Sequence, residues 1–264
     1  MLTVIHITLK GFFRDRAFQG IIALAFLFLL IPSVASVSMR QVTELATTLS
    51  FSLVSFILLL LSVFLGATSV WRDIERRYTF SVMSLPLTRS EYLVARFLGI
   101  VLFLLITAVF LGVMTGVSIK IATSLYPPVR PVLWSVIVLA ILFDVLKYIL
   151  VVAITITIST ISTSSLLPIL ASLSIFFAGT VTQDVYEYLQ TTTAQTTLSP
   201  IIFNSAKLLY YILPNLSGFD LKVNAVYSIC PSYEGLFFTS TYFLSYIVIV
   251  LYLGTKIFNN REFK

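Results

Sequence analysis

Apolar runs of near-membrane length, separated by short polar breaks, dominate the chain from end to end. A helix needs about 20 largely apolar residues to cross the hydrocarbon core of a bilayer. Such runs fall at about 17–38, 50–70, 94–118, 132–158, 164–183 and 236–257, which predicts six transmembrane helices. The fifth is the least apolar, because Ser and Thr dilute its start, and Pro168 sits in its first turn, where a missing N–H is tolerated. Ahead of the first run, Ile5, Leu9, Phe12 and Phe13 share one helical face while His6, Lys10 and Arg14 share another. That amphipathic pattern predicts a helix lying in the membrane interface. Pro32 to Ser36 has the look of a cleavage region, but the long charged stretch before the run includes Asp15 and five further runs follow, so a retained first helix is expected. Between the fifth and last runs lies a long segment, roughly 184–235, whose stretch from Ile201 to Leu213 is apolar but too short to cross. It is expected to fold back onto or partly into the outer leaflet, as a cap on the bundle or as a lid over an exit.

Composition removes the soluble alternative. With 58% hydrophobic and 11% charged residues and a mean hydropathy of +1.02, the chain lacks the charge that a water-facing surface needs. The expected fold class is an all-α integral membrane protein, with residues 1–264 forming a single transmembrane domain. The net charge of +6 does not point to nucleic acid, because the basic residues sit at the ends of the apolar runs rather than along one stripe. A cytoplasmic N-terminus puts Lys10, Arg14, Arg16, Arg72, Arg76, Arg77, Arg89, Arg96, Lys256, Arg261 and Lys264 inside. Only Arg40, Lys120, Arg130, Lys207 and Lys222 then lie outside, with Lys147 within a span. This asymmetry predicts a multi-pass protein of the inner (plasma) membrane with both termini cytoplasmic. The hairpin from Ser159 to Ser165 carries no charge and is placed by its neighbours. Cys230 and His6 are each the only residue of their type, which excludes an intramolecular disulfide and a structural Cys/His metal site.

Charge concentrates in one place. Between Trp71 and Phe97 lie Arg72, Asp73, Glu75, Arg76, Arg77, Arg89, Glu91 and Arg96, eight of the chain's 28 formal charges. Ile74, Tyr78, Val82 and Leu85 are spaced for one face of a helix, which leaves Arg72, Glu75, Arg76 and Thr79 on the other. Pro86 ends that helix. Thr88-Arg89-Ser90-Glu91 then reads as a capping box that starts the third span, with Leu87 and Tyr92 at the staple positions.

The strings Trp71-Arg72-Asp73-Ile74-Glu75-Arg76-Arg77-Tyr78-Thr79 and Ser84-Leu85-Pro86-Leu87-Thr88-Arg89-Ser90-Glu91-Tyr92-Leu93-Val94-Ala95-Arg96-Phe97 resemble the signature of ABC-2 type permeases, the membrane subunits of ATP-binding cassette exporters. In that family an acidic-x-Glu motif, a Thr, a Leu-x-x-Pro-like turn and an Arg before an aromatic residue occupy the cytoplasmic loop between the second and third spans. The six spans, interfacial N-terminal helix, long external segment and basic tail extend the likeness along the whole chain. It resembles the compact permeases found with metalloenzyme maturation systems, such as those of nitrous-oxide reductase or of multicopper enzymes. Many members carry Gly just before the Thr, whereas Arg77 and Tyr78 stand there in this chain. The resemblance implies a coupling helix that docks into a separate ATPase subunit through Asp73, Glu75, Arg76, Arg77, Thr79 and Arg89. It further implies a homodimer or heterodimer of permeases in the lipid bilayer, driving ATP-dependent export. No Gly-x-x-x-x-Gly-Lys-Ser/Thr string occurs in the chain, so ATP and Mg belong to the partner and no cofactor or catalytic residue is expected here.

Other positions carry chemistry of their own. Asp144 and Lys147 lie at i, i+3 within the fourth span, either lining a pathway or neutralising each other as a structural pair. Gly112 and Gly116 form a GxxxG that suits close helix packing. Hydroxyls from Thr155 to Thr163 form a polar vestibule or bond back to helix carbonyls. Two competing functions follow: an ion-driven secondary transporter or channel using Asp144 and Lys147, and, with less support, a membrane-embedded enzyme.

Overall fold

The computed structural model describes residues 2–13, 19–20, 23–24, 26–38, 41–75, 88–128, 130–191 and 199–260. Its frame is five long apolar helices: α3 (Val42–Glu75), α4 (Arg89–Leu125), α5 (Trp134–Ile161), α6 (Leu166–Leu189) and α9 (Tyr233–Asn260). Each is long and apolar enough to cross a membrane. Ahead of them come α1 (Leu2–Phe13), a 3-10 turn over Phe26–Leu30 and the short α2 (Ile31–Ser36). The segment between α6 and α9 supplies α7 (Pro200–Ile212), a 3-10 turn over Ser217–Phe219 and α8 (Lys222–Tyr227).

These five helices match the second to sixth apolar runs. They overshoot the runs because a helix does not stop where the hydrocarbon stops. α3 has 34 residues and α4 has 37, about 50 and 55 Å at the helical rise, against a core of roughly 30 Å. Their polar ends therefore stand clear of the apolar slab, at the end where α3 leaves the bundle and α4 returns, termed the loop end below. Within the first run, at 17–38, the longest described stretch forms the 3-10 turn over Phe26–Leu30 and α2, with Pro32 in α2's first turn. Phe28, Ile31 and Ala35 are buried in the main core.

The core is made by α3, α4 and α5. α5 is the most enclosed, with residues such as Leu150, Val152 and Ala153 fully buried. α9 lies against α5 and α4 at the bundle's edge and turns Phe237, Phe238, Val248 and Tyr252 outward. Apolar side chains facing outward are favourable where the solvent is lipid. Among the described residues the GxxxG does not bring backbones into close contact: a Cβ at Gly112 would meet the Ile141 side chain at 3.4 Å and one at Gly116 the Trp134 ring at 3.8 Å. Tighter approaches occur elsewhere. A Cβ at Gly99 would lie 2.8 Å from Thr8 of α1, and one at Gly179 only 2.6 Å from the Pro214 carbonyl oxygen.

That last contact seats the segment between α6 and α9. The Leu216 N–H donates to the Gly179 carbonyl at 3.0 Å, the Asn215 amide donates to Gln183 at 2.8 Å, and the Asn215 N–H donates to the Tyr242 hydroxyl at 2.9 Å. Leu216 and Phe219 are fully buried. The segment from 214 to 228 is therefore a fitted cap on α3, α5, α6 and α9. By contrast α7 buries none of its residues; it touches α6, where Tyr210 stacks on Tyr186 at 4.0 Å, and α9, where the Tyr246 hydroxyl donates to the Ile212 carbonyl at 3.2 Å.

Candidate functional site

The loop end carries the charge cluster. Thr88 starts α4 with the capping box that the sequence predicts: its hydroxyl accepts from the Glu91 N–H at 3.2 Å, and the Glu91 carboxylate accepts from the Thr88 N–H at 2.8 Å. Two otherwise unpaired backbone donors are thereby satisfied, and the direction of α4 is set. One turn on, Tyr92 and Arg96 stand at i, i+4 on the face of α4 that looks across to the end of α3.

There Asp73 receives both. The Tyr92 hydroxyl donates to Asp73 Oδ2, and Arg96 Nη2 forms an ion pair with the same oxygen. Arg96 also donates through Nη1 to the Thr8 hydroxyl of α1 at 3.0 Å, and Thr8 in turn donates to the Val4 carbonyl. The Tyr92 ring stacks on Phe258 of α9 at 6.1 Å. Close by, Arg89 Nη1 donates to the Asn259 carbonyl at 3.0 Å and the Asn259 amide donates to the Ser90 hydroxyl at 3.0 Å. Four elements, α1, α3, α4 and α9, are thus tied at one node. Asp73 and Arg96 keep 13% and 17% side-chain exposure, so the ion pair is little screened by water.

This geometry distributes the predicted docking residues. Asp73 and Arg89 turn toward the chain's own helices, while Glu75 at the end of α3 is exposed. Arg76, Arg77 and Thr79 lie outside the described residues, as do Tyr78, Val82, Leu85 and Pro86 of the proposed coupling helix. The node itself was not read from the sequence. In the sequence Tyr92 reads as a staple residue of the capping box and Arg96 as part of a motif. The available signal was the i, i+4 spacing of Tyr92 and Arg96 at the foot of a span, which presents a polar pair to whatever closes the loop.

The polar pair expected within α5 forms. Lys147 Nζ lies 2.5 Å from Asp144 Oδ1, with both side chains buried, and the Ser55 hydroxyl of α3 donates to Asp144 Oδ2 at 2.7 Å. The Tyr148 ring lies 4.8 Å from the ammonium. Asp144 is ten residues beyond Trp134 at the start of α5, about 15 Å along the axis, near the middle of a roughly 30 Å core. The hydroxyls at the other end of α5 bond to carbonyls. Thr155 reaches Val151 and Thr157 reaches Ala153, while Ser159 crosses to the Ala67 carbonyl of α3 at 2.8 Å and accepts from the Trp71 N–H. Ser159 thereby binds α3 to α5 beneath the node.

A family model described as ABC-2 family transporter protein matches residues 2–263 of the chain. A comparison with curated proteins finds no match.

Proposed function

The chain belongs to the ABC-2 transporter family, and from that premise we propose that it is the permease subunit of an ATP-binding cassette exporter, energised by a separate ATP-binding subunit. Permeases of this family generally work with such a subunit. The observation that carries the reading is the node of Asp73, Tyr92 and Arg96: the two helices that flank residues 76–87 are braced to each other and to α1 and α9. A partner that pushes on the intervening residues therefore moves four elements together. On this reading Glu75, Arg76, Arg77 and Thr79 form the docking face through charge-assisted contacts, while Asp73 and Arg89 act as braces behind it. ATP and Mg are held by the partner.

On the same reading the loop end, where the basic residues gather, faces the cytoplasm together with both termini, α1 is an interfacial helix and residues 17–38 are the first of six spans. One transmembrane domain then fills the chain, and two permeases, alike or different, enclose the pathway. The likeness to permeases of metalloenzyme maturation systems rests on the sequence resemblance. The test is copurification: with an ATP-binding cassette protein coexpressed, the wild-type chain retains it, and Glu75→Lys or Arg76→Glu loses it. Undiminished complexes in both variants would sink the docking assignment.

A further inference from the structure

Beneath the cap lies a cavity of about 320 Å³ that reaches from the outer end of the bundle to the buried ion pair. Its charged lining comes from two places far apart in sequence: Asp144 and Lys147 on α5, and Asp220 and Lys222 on the cap. The formal charges cancel, yet hydrogen-bonding capacity is left over. Both Asp144 oxygens are occupied, by Lys147 and Ser55. One Asp220 oxygen accepts from the Lys222 N–H at 2.9 Å. Each ammonium has three N–H donors; Lys147 meets the side-chain oxygens of Asp144 and Tyr148, and Lys222 meets that of Ser52 at 2.7 Å, which leaves a donor on each lysine. Surplus donors on two lysines face the same space as the second oxygen of Asp220.

We infer that this cavity binds a small zwitterion, its carboxylate or phosphate accepting from Lys147 and Lys222 and its ammonium meeting Asp220. A neutral but strongly dipolar lining favours a ligand carrying both charges over a simple ion, because a lone anion meets Asp220 and a lone cation meets both lysines. The volume, near the lower bound of small-molecule pockets, suits a molecule the size of an amino acid or of phosphoethanolamine. Such a group also heads zwitterionic phospholipids, and the cavity opens at the membrane's outer end on the orientation proposed above. Recognition itself does not depend on the ATPase docking.

The full chain in nanodiscs tests this. In phosphatidylglycerol discs, glycine and phosphoethanolamine are titrated calorimetrically. In phosphatidylethanolamine discs, native mass spectrometry reads the lipid that remains on the extracted protein. Lys222→Gln removes one donor at the exposed edge and leaves the inner pair intact, and the double variant Asp144→Asn/Lys147→Met removes the inner pair without stranding a charge. Saturable binding of a soluble probe that weakens at least tenfold in Lys222→Gln supports a solute site. Retained phosphatidylethanolamine that is lost in Lys222→Gln supports a headgroup site. Absence of both, or binding unchanged in the two variants, overturns the inference, and neither outcome bears on whether the ATPase docks at Glu75 and Arg76.

Discussion

Replacing Arg96 with methionine removes the centre of the loop-end node while keeping an unbranched side chain of similar reach. The change deletes the ion pair to Asp73, the hydrogen bond to Thr8 at 3.0 Å and the placement of the guanidinium 5.8 Å from the Tyr92 ring centre. Asp73 keeps only the Tyr92 hydroxyl as a described side-chain partner, so its charge is left in a poorly hydrated place. Breaking a buried pair from one side costs about 3–5 kcal/mol, and the 13% and 17% exposure of the two side chains puts the expected cost at the low end, about 3 kcal/mol. Asp73→Asn keeps an acceptor for Tyr92 and loses the charge, for about 1.5–3 kcal/mol. Because both variants break the same contact, the double variant costs about 1–3 kcal/mol less than their sum. Unfolding by sodium dodecyl sulfate in mixed micelles measures all three. A cost under about 0.5 kcal/mol for Arg96→Met, or a cycle additive to within about 0.3 kcal/mol, would refute the node as a structural tie. In complex with the ATPase, the same variant is expected to assemble, since the docking face is intact, but to hydrolyse ATP without moving substrate.

Two further outcomes test the frame around the node. Gly179→Ala forces a Cβ to within 2.6 Å of the Pro214 carbonyl oxygen and is expected to cost about 1–3 kcal/mol in the same assay. Gly112→Ala, whose Cβ meets only the flexible end of Ile141 at 3.4 Å, stays within about 0.5 kcal/mol; equal effects would mean that the cap is not seated on α6 as described. Cys230, the chain's only cysteine, is exposed between α8 and α9. A membrane-impermeant maleimide added to intact cells is expected to label it, whereas labelling only after permeabilisation would reverse the proposed orientation.

The long helices were legible because hydrocarbon demands uninterrupted apolar runs, and five runs appear as helices on the same residues. Their true lengths were not, since the run at 50–70 counts apolar residues while α3 continues through Arg72 and Asp73 to Glu75. The capping box at Thr88 was readable because its two partners are three residues apart. The partners of Asp73 were not, because they lie 19 and 23 positions away across a loop, and local spacing carries no information about which face of α3 meets α4. The pairing of Asp144 with Lys147 was visible for the same reason as the cap, being one helical turn. Ser55, Asp220 and Lys222 join that pair only through the packing of α3 and the folded-back segment against α5. The expected coupling helix over 74–85 lies mostly outside the described residues.

The measurement that bears most directly on the docking claim is a contact made in the membrane. A photoreactive side chain placed at Arg76, in cells that coexpress an ATP-binding cassette protein, is expected to crosslink to that protein, with the crosslink weakened by Glu75→Lys. The same group at Lys222, at the other end of the bundle, is expected to yield none. Crosslinks from position 76 to lipid or to the chain's own helices alone, with the ATPase present and folded, would contradict the claim that this loop receives the force of ATP hydrolysis.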